Sequence, residues 1–372
     1  MPSGSAPAVA ENGGPGAGGH AGRAERLREA VAAAGLDSLL VTDLTNIRYL
    51  TGFGGTNGAC LAGPDRQIFL TDFRYTDRAA DEVEGWPVEI VQGEWLVGLA
   101  GRLEGRVGFE DDRVTVRNAA RLAAAAPDGV ELIEAGGKVE RLRRVKDRSE
   151  IEAIAAAAAL TDRIYLELIE RGLTGRTEAE VAGFAVTRMR EEGAEPSFPP
   201  IVASGPNGAS PHAEPGPREI AVNELVTIDM GAELDGYCSD CTRAFATGQL
   251  DDFAAGIYEV TLNAQAAGLA AVSAGREGVE VDRAAREVIE AAGYGEHFGH
   301  GLGHGVGMEV HEGPRLGPRS SDVLLAGDVV TVEPGIYVSG RTGVRIEDLV
   351  VVGEAGIERN LSSIPGELTL VA

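Results

Sequence analysis

Four acidic residues lie in segments whose other side chains are typical of buried β-strands. They are Asp229 in Val226-Thr-Ile-Asp-Met-Gly231, Asp240 in Tyr237-Cys-Ser-Asp-Cys-Thr-Arg243, Glu333 in Val330-Thr-Val-Glu-Pro-Gly335 and Glu347 in Gly343-Val-Arg-Ile-Glu-Asp348. A charged group in an apolar strand is costly unless it is paired or bound to metal. Arg243 and Arg345 could each pair with one member in a buried salt bridge. The alternative is that the fold gathers the carboxylates around cations.

Asp229 and Asp240 flank a turn signal, Glu233-Leu-Asp-Gly236. If the hairpin is centred between Leu234 and Asp235, the two aspartates are direct cross-strand partners, with Cβ atoms about 5 Å apart on one face. Two facing carboxylates repel each other, and a pair of hard cations relieves that repulsion. The spacing therefore favours a metal site.

Four of the six histidines lie in one glycine-rich stretch, from His297 to His311. Glycine disfavours helix and leaves room for a substrate or metal to approach the backbone. His304 adds one nitrogen to the four carboxylates. Structural zinc sites prefer cysteine and histidine, whereas this oxygen-rich set suits two divalent ions, Mn²⁺ first, with Co²⁺ or Zn²⁺ as alternatives. The predicted chemistry is metal-assisted hydrolysis.

Two other histidines are predicted to act on the substrate. His212, in a Gly/Pro-rich loop, and His311 could donate hydrogen bonds to a developing oxyanion or shuttle protons. The alternative for His212 is an exposed loop histidine without a function. Cys238 and Cys241 form a CxxC pair. Residues i and i+3 of a strand point to opposite faces, which argues against a metal or disulfide shared by these cysteines.

The composition excludes several classes of partner. The chain has 372 residues and a formal net charge of −25, which argues against binding of nucleic acid or anionic membranes. No apolar run is long enough for a membrane span. The three cysteines are an odd number for a disulfide framework, so a cytoplasmic location is expected.

The chain is predicted to contain a tail and two domains. Residues 1–21, which include His20, are rich in Gly, Ala, Pro and Ser and are predicted to be disordered. Residues 22–143 alternate between helix-like and strand-like segments and are predicted to form an α/β domain. Its predicted elements are a helix over 23–34 and strands over 38–41, 67–70, 88–91 and 106–109.

Residues 144–372 are predicted to form an α+β domain, with helices on one side of a mostly antiparallel sheet. Capping boxes at Ser149 with Glu152 and at Thr177 with Glu180 predict helices that run to about 171 and 192. Two more helices are predicted over 251–274 and 279–292. The predicted strands are 201–203, 225–230, 237–246, 329–332 and 346–352.

The segment His300-Gly-Leu-Gly-His-Gly-Val-Gly-Met-Glu-Val-His-Glu312 resembles the proline-peptidase signature of the creatinase/aminopeptidase P/prolidase family of pita-bread metallopeptidases. Segments 46–53 and 71–78 resemble the amino-terminal domain of that family, so the resemblance runs from about residue 23 to 372. It implies an α+β catalytic pita-bread domain preceded by a smaller α/β creatinase-like N-terminal domain. It also implies a homodimer that acts on proline-containing peptides, at an Xaa-Pro bond.

The resemblance implies a role for each site residue. Asp229 would bind one metal ion, His304 and Glu333 the other, and Asp240 and Glu347 both. Glu333 would also assist proton transfer. The substrate-facing residues would be His212 and His311 at the tetrahedral intermediate and scissile amide, His300 in the proline pocket, and Arg345 as the group that orients a bridging carboxylate.

Three functions are compatible with the sequence. The first is an Xaa-Pro exopeptidase, either a dipeptidase or an aminopeptidase P. The second is a non-peptidase hydrolase of an amide or amidine on the same fold, and the third is a metal-free peptide-binding module. All five ligand positions are intact, which argues against the third and against creatinase.

Overall fold

The computed structural model describes residues 19–371 and divides the chain into two compact units between Leu142 and Arg143. The predicted boundary lies one residue later. Helix α1 (Gly19–Ala33) begins inside the predicted tail, so residues 19–21 are helical rather than disordered. His20 and Arg23 both contact the same residue of the domain: His20 Nδ1 lies 3.1 Å from Tyr49 O, and the Arg23 guanidinium lies 4.3 Å from the Tyr49 ring centroid. The rest of the predicted tail, residues 1–18, lies outside the described residues.

One mixed sheet organises the first unit. Its strands are β1 (Ser38–Val41), β2 (Ala59–Gly63), β3 (Arg66–Thr71), β4 (Val88–Ile90), β5 (Arg106–Phe109) and β6 (Glu131–Glu134). The helices after α1 are α2 (Leu44–Thr51), α3 (Thr76–Glu82), α4 (Trp95–Ala100) and α5 (Val116–Ala125), and the boundary between the units falls within α6 (Lys138–Arg144). The strand order is β4-β3-β2-β1-β5-β6, with β2 antiparallel to both neighbours. The predicted α/β class of this unit is confirmed.

Strands β2 and β6 were not predicted from the sequence. The sequence of β2, Ala-Cys-Leu-Ala-Gly, has none of the β-branched or aromatic residues that favour strands. All five residues are nevertheless buried, between β1 and β3. Tertiary burial, rather than local propensity, determines this strand.

Two helix pairs cover two sheets in the second unit. The helices are α7 (Arg148–Arg171), α8 (Glu178–Glu191), α9 (Asp252–Ala271) and α10 (Gly278–Ala291). The strands are β7 (Glu195–Pro196), β8 (Ile201–Ser204), β9 (Leu225–Met230), β10 (Ala232–Leu234), β11 (Tyr237–Cys238), β12 (Cys241–Ala246), β13 (Gly303–Gly305), β14 (Glu312–Leu316), β15 (Val329–Val332), β16 (Gly335–Val338), β17 (Thr342–Arg345), β18 (Asp348–Gly353), β19 (Gly356–Asn360) and β20 (Thr369–Leu370).

Each helix pair shares a core with one sheet. Leu160 of α7 and Val181 of α8 pack in one cluster with Val226 of β9 from the sheet β20-β12-β9-β8. Ile257 of α9 and Val281 of α10 pack in another cluster, which includes β15 and β18 of the sheet β14-β13-β15-β18-β19. Apart from the β12–β20 pair, the strand pairs in both sheets are antiparallel, which confirms the α+β prediction. Within residues 19–371, none of the helices is both long and apolar enough to cross a membrane.

Two predicted strands are shorter than expected, and both differences involve a site residue. The strand predicted over 237–246 is interrupted, because β11 ends at Cys238 and β12 begins at Cys241. The strand predicted over 346–352 begins at Asp348. Asp240 and Glu347 therefore lie in short connections between strands, whereas the predictions for β9 and β15 coincide with the structure.

Asp147, rather than the predicted Ser149, caps α7. Asp147 Oδ1 accepts a hydrogen bond from Glu150 N at 3.0 Å, and Glu150 Oε2 accepts one from Asp147 N at 3.1 Å, which completes a capping box. Ser149 Oγ instead donates to Asp147 Oδ1 at 2.6 Å. The second predicted box, Thr177 with Glu180, is present at α8.

Removal of this cap should weaken the second unit. We expect Asp147→Ala to lower the free energy of unfolding by about 1 kcal/mol, because it leaves helix N–H groups without an acceptor. Ser149→Ala is the matched control and should lower it less. Urea unfolding followed by circular dichroism checks both variants, and an equal loss in the two would contradict Asp147 as the cap.

Candidate active site

One cleft of about 770 Å³ in the second unit is lined by every site residue that the sequence predicts. These residues are His212, Asp229, Asp240, His300, His304, His311, Glu333, Arg345 and Glu347. Apolar side chains, including Phe198, Pro199, Pro200 and Pro211, form part of the wall. The cleft is also lined by Arg315, which the sequence analysis did not identify.

Asp229 and Asp240 are not the direct cross-strand partners that were expected. In the β9–β12 pair, Asp229 faces Thr242. The turn is centred between Asp235 and Gly236, one residue later than predicted, and both residues have positive φ, of 50° and 81°. This shift moves the pairing by two positions, which keeps each side chain on its original face. Asp240 therefore still lines the same cleft as Asp229.

Asp240, His304 and Glu347 form a compact group of candidate metal ligands. One ligand atom from each lies within 4.8 Å of the other two. His304 Nε2 lies 3.6 Å from Asp240 Oδ2 and 3.3 Å from Glu333 Oε1. Asp240, His304, Glu347 and Asp229 are all buried. The group forms only when three segments from different sheets and connections meet.

The two candidate arginines compensate little of the negative charge in this cluster. Arg345 Nη2 pairs with Asp229 Oδ2 at 2.6 Å. Arg243 pairs with Asp348, at 2.7 Å, rather than with a predicted ligand. Among residues 19–371, Arg345 is the only lysine or arginine in a salt bridge with any of the four carboxylates. Four carboxylates and one guanidinium leave three negative charges uncompensated.

Two buried carboxylate oxygens, Asp229 Oδ1 and Glu347 Oε1, have no hydrogen-bond partner among residues 19–371. Burial, and then repulsion by neighbouring carboxylates, raises the pKa of Asp240 and Glu347 well above the usual range. Burial also raises the pKa of Asp229. Unpartnered buried oxygens beside like charges are an environment that a bound cation stabilises. The donor set therefore fits divalent metal ions.

Backbone contacts fix which nitrogen of His304 faces the carboxylates. Nδ1 lies 3.0 Å from Gly305 O, and because a carbonyl only accepts, Nδ1 carries the proton and Nε2 offers a lone pair. Nε2 and Glu333 Oε1 are then two acceptors 3.3 Å apart, which require a proton or a metal ion between them. Burial opposes ionisation of Glu333. When a proton on Nε2 fills this gap, the hydrogen bond from His304 and the charge of the imidazolium lower the pKa of Glu333 to about 2.

The two glycines that flank His304 let neighbouring backbone approach closely, and Gly303 also lines the cleft, together with Gly299 and Gly301. A Cβ atom at Gly303 would lie 2.0 Å from Thr331 O, and one at Gly305 would lie 2.0 Å from Gly313 O. Larger residues would separate β13 from its neighbours and displace the imidazole.

Arg345 does not contact a predicted bridging carboxylate directly. Its ion pair is with Asp229, and its Nε donates to Thr242 Oγ1 at 3.0 Å. Thr242 Oγ1 donates in turn to Glu347 Oε2 at 2.7 Å. Arg345 therefore reaches Glu347 only through Thr242, which the sequence analysis missed, and its orienting role stays a prediction.

Tyr337, also missed by the sequence analysis, connects Arg345 to His300. Arg345 Nη1 donates to Tyr337 Oη at 2.8 Å, and Tyr337 Oη lies 3.0 Å from His300 Nε2. His300 Nδ1 lies 2.8 Å from Gly301 O, so it carries the ring proton and Nε2 accepts from Tyr337. Burial lowers the pKa of His300, which favours this neutral form.

A buried carboxylate on α8, Glu178, holds the loop that carries His212. Glu178 Oε1 accepts from Ser204 N at 2.8 Å and from Ser204 Oγ at 2.7 Å, and both carboxylate oxygens accept from Asn207 Nδ2. His212 itself is exposed, as the loop-histidine alternative requires, yet it lines the cleft. It can therefore contact a bound molecule.

A second set of buried charges lies beside His311. The His311 and His304 ring centroids are 4.4 Å apart. The next residue, Glu312, is buried and accepts from Arg143 Nη2 at 2.7 Å and Lys146 Nζ at 2.6 Å. Burial, followed by nearby positive charge, lowers the pKa of His311. The neutral imidazole is therefore favoured at the cleft.

Comparisons with known families agree with this geometry. The model of metallopeptidase family M24 matches residues 152–354, and the model of the creatinase/prolidase N-terminal domain matches residues 23–145. This chain belongs to metallopeptidase family M24. The predicted architecture, a pita-bread catalytic domain after a creatinase-like N-terminal domain, is confirmed.

Three similar proteins cover nearly the whole chain of this M24 member. The solved structure of a Bacillus anthracis Xaa-Pro dipeptidase is 38% identical, with a TM-score of 0.91 over 95% of this chain and 100% of that one. A Thermotoga maritima X-Pro aminopeptidase is 35% identical, with a TM-score of 0.86 over 94% of this chain and 100% of that one. A curated Xaa-Pro dipeptidase of Pyrococcus furiosus is 32% identical, over 91% of this chain and 97% of its own length.

Membership of M24 implies divalent metal ions, and the raised carboxyl pKa values predict that their binding releases protons. In the metal-free protein, Asp240 and Glu347 hold protons to a higher pH than ordinary carboxyl groups do. Metal requires the ionised form. The apparent affinity for Mn²⁺ should therefore fall as the pH is lowered, beginning at a higher pH than ordinary carboxyl groups would require. Titration calorimetry in two buffers of different ionisation enthalpy should detect proton release, and identical heats in both would contradict the assignment.

Proposed function

We propose that this chain is a dinuclear metal-dependent Xaa-Pro dipeptidase that hydrolyses the bond before proline. The observation that carries the proposal is the cluster of four carboxylates and one imidazole in the cleft. When all four carboxylates are ionised, the one guanidinium that pairs with them, that of Arg345, leaves three negative charges uncompensated. The names of the similar B. anthracis and P. furiosus proteins support the substrate class.

The proposed ligands divide between two ions, for which Mn²⁺ is our first choice. Asp229 would hold one ion, His304 and Glu333 would hold the other, and Asp240 and Glu347 would contact both. The bound ions supply activation of water near neutral pH and polarisation of the peptide carbonyl. Arg345 pairs with Asp229, which opposes the effect of burial on the pKa of that carboxyl group, and it holds Thr242 against Glu347.

The remaining side chains act on the substrate. His212 and His311 donate hydrogen bonds to the carbonyl oxygen as negative charge develops on it. Glu333 accepts a proton from the attacking water as the C–O bond forms and delivers it to the leaving nitrogen as the C–N bond breaks. Glu333 lies 3.3 Å from His304 Nε2, which supports both of its proposed roles, as a ligand and as an acid–base group.

Proline suits this cleft for two physical reasons. The imide nitrogen of an Xaa-Pro bond has no N–H, so its burial needs no acceptor in the wall. The pyrrolidine ring is apolar, and Phe198, Pro199, Pro200 and the neutral imidazole of His300 offer it an apolar surface.

Arg315 favours a dipeptide over a longer peptide. Its guanidinium lines the cleft and has no hydrogen bond or ion pair to residues 19–371, while its positive charge contributes to the lowered pKa of His311. A dipeptide ends in a carboxylate one residue after the scissile bond, and guanidinium–carboxylate pairs can be bidentate. In a longer peptide that position is occupied by a neutral amide.

The proposal also covers the cellular location and the oligomeric state of the protein. The three cysteines are buried and free, which supports action in a reducing cytoplasm. Family resemblance supports a homodimer, which light scattering after size-exclusion chromatography checks.

The direct test is mass spectrometry of the products after loading with Mn²⁺. The substrates are Gly-Pro, Ala-Pro, Ala-Pro-Ala and creatine. We expect cleavage of both dipeptides and little of the tripeptide. Preferred cleavage of the tripeptide would establish an aminopeptidase P, and cleavage of creatine alone a non-peptidase hydrolase. A folded protein that binds no Mn²⁺ and cleaves nothing would establish a binding module.

Replacement of Arg315 should lower kcat/KM only for substrates that end in a free carboxylate directly after the scissile bond's proline. We expect Arg315→Gln to lower kcat/KM for Ala-Pro about 10- to 100-fold, since a charge-assisted pair is lost. The same variant should leave kcat/KM for Ala-Pro amide nearly unchanged, because that substrate has no carboxylate. Arg319→Gln, an exposed arginine nearby in the chain, is the matched control. Equal losses for the acid and the amide would contradict the assignment.

A further inference from the structure

The segment that carries His300 has an irregular, glycine-containing backbone, which favours mobility. The His300 ring can form part of the cleft wall only if its orientation is fixed. Phe298-Gly-His-Gly-Leu302 is neither helix nor strand, and it contains two glycines. A Cβ atom built at Gly299 would meet no other atom within 4 Å, so packing does not restrain the backbone there. Restraint has to come from contacts with neighbouring elements.

Arg286 on α10 supplies contacts on both sides of this segment. Its Nη1 donates to Phe298 O at 2.9 Å, and its Nη2 donates to His300 O at 2.8 Å. The same guanidinium lies 4.1 Å from the centroid of the Phe298 ring. The Phe298 ring meets the His300 ring edge-on, with centroids 5.0 Å apart. One planar group therefore holds two carbonyls and one ring of the segment.

Asp282, one helical turn before Arg286, pairs with the Arg286 guanidinium and also binds the segment directly. Its carboxylate accepts from Arg286 Nε at 2.8 Å and from Arg286 Nη2 at 2.9 Å. Its Oδ1 also accepts from Leu302 N at 3.0 Å. Asp282 is only 1% exposed, so these charge-assisted bonds lie where water does not compete. The i, i+4 pair thus binds the segment at residues 298, 300 and 302.

We infer that Asp282 and Arg286 are positioning residues that fix the His300 ring and thereby set the preference for proline. This inference rests on the proposed function, in which His300 contacts the proline ring. The backbone carbonyl of His300 is tied to Arg286, while its ring is tied to Gly301 O and Tyr337 Oη. Release of the carbonyl would let the ring turn away from Tyr337 and widen the proline pocket.

Lysine cannot replace Arg286 in this role. The guanidinium donates through three nitrogen atoms in one plane, to Asp282 and to two carbonyls. A lysine ammonium is a single point of charge, which can keep the ion pair with Asp282 but not both carbonyl bonds. Arg286→Lys therefore separates the positioning of the segment from the charge of the pair.

The test compares the wild type, Arg286→Lys and Arg283→Lys as Mn²⁺-loaded proteins. Arg283 is an exposed arginine on the same helix and is the matched control. We expect Arg286→Lys to raise KM for Ala-Pro about tenfold or more, with kcat reduced much less and bound Mn²⁺ unchanged. The preference for Ala-Pro over Ala-Ala should fall by a similar factor. The control should match the wild type in every respect.

Hydrogen exchange supplies a second readout that does not depend on activity. We expect amides of residues 298–302 to exchange at least about tenfold faster in Arg286→Lys and unchanged in Arg283→Lys. If Arg286→Lys destabilises the fold, Asp282→Asn, which keeps the side-chain shape, is measured instead.

The outcomes separate this inference from the proposed function. Unchanged exchange and unchanged KM in Arg286→Lys would overturn the inference, as would a parallel loss of kcat and metal. If the wild type fails to cleave Ala-Pro, the proposed function fails, and the exchange data alone still decide whether the pair holds the segment. Faster exchange without a change in the Ala-Pro preference would also overturn the inferred effect on specificity.

Discussion

Mutual repulsion among buried carboxylates is the constraint around which the second unit is organised. Two hydrophobic cores, one under α7 and α8 and the other under α9 and α10, bring acidic residues from separate strands into one water-poor cluster. Burial disfavours every ionised carboxylate, and Arg345 balances only one of the four charges. Apolar packing therefore holds together a charge cluster that is unfavourable by itself. Two divalent cations would reverse that balance, since they supply four positive charges against three.

The residues around the cluster show how a rigid site is built on irregular backbone. His212, His300 and His311 all belong to glycine- or proline-rich segments rather than to regular strands or helices. Each segment is tied down by a buried carboxylate: Glu178 for the first, Asp282 for the second and Glu312 for the third. Charge-assisted bonds in a low dielectric give these segments the order that their sequences lack. The helices thereby contribute to the cleft without supplying a ligand.

Much of the fold and all of the candidate ligands could be predicted, because both depend on local pattern. β9 is a mostly apolar run that contains one acid, Asp229, and β15 is a mostly apolar run that one acid, Glu333, follows directly. The capping box at Thr177 is likewise a local signal. The turn was predicted one residue too early, because the positive φ of Asp235 and Gly236, which places the centre of the turn between them, is not fixed by the turn signal alone. β2 was missed because its composition is that of a loop.

Residues that act through other residues could not be found from the sequence. Thr242 and Arg345 are 103 residues apart, and Tyr337 is 37 residues from His300. Neither spacing has a periodic signature, and a threonine or tyrosine in a strand is ordinarily a packing residue. Arg286 and Arg315 were missed for a similar reason, since an arginine on an amphipathic helix or a strand is typical of a solvated surface. Only the assembled structure brings Arg315 to the cleft and Arg286 to the segment that carries His300.

The central claim is that the buried carboxylates are compensated by two metal ions, and metal stoichiometry tests it most directly. The purified chain, stripped with chelator and dialysed against Mn²⁺, should retain about two ions per chain by elemental mass spectrometry. In crystals of the same sample, two anomalous peaks should lie among Asp229, Asp240, His304, Glu333 and Glu347. One ion per chain, none, or peaks elsewhere would contradict the account.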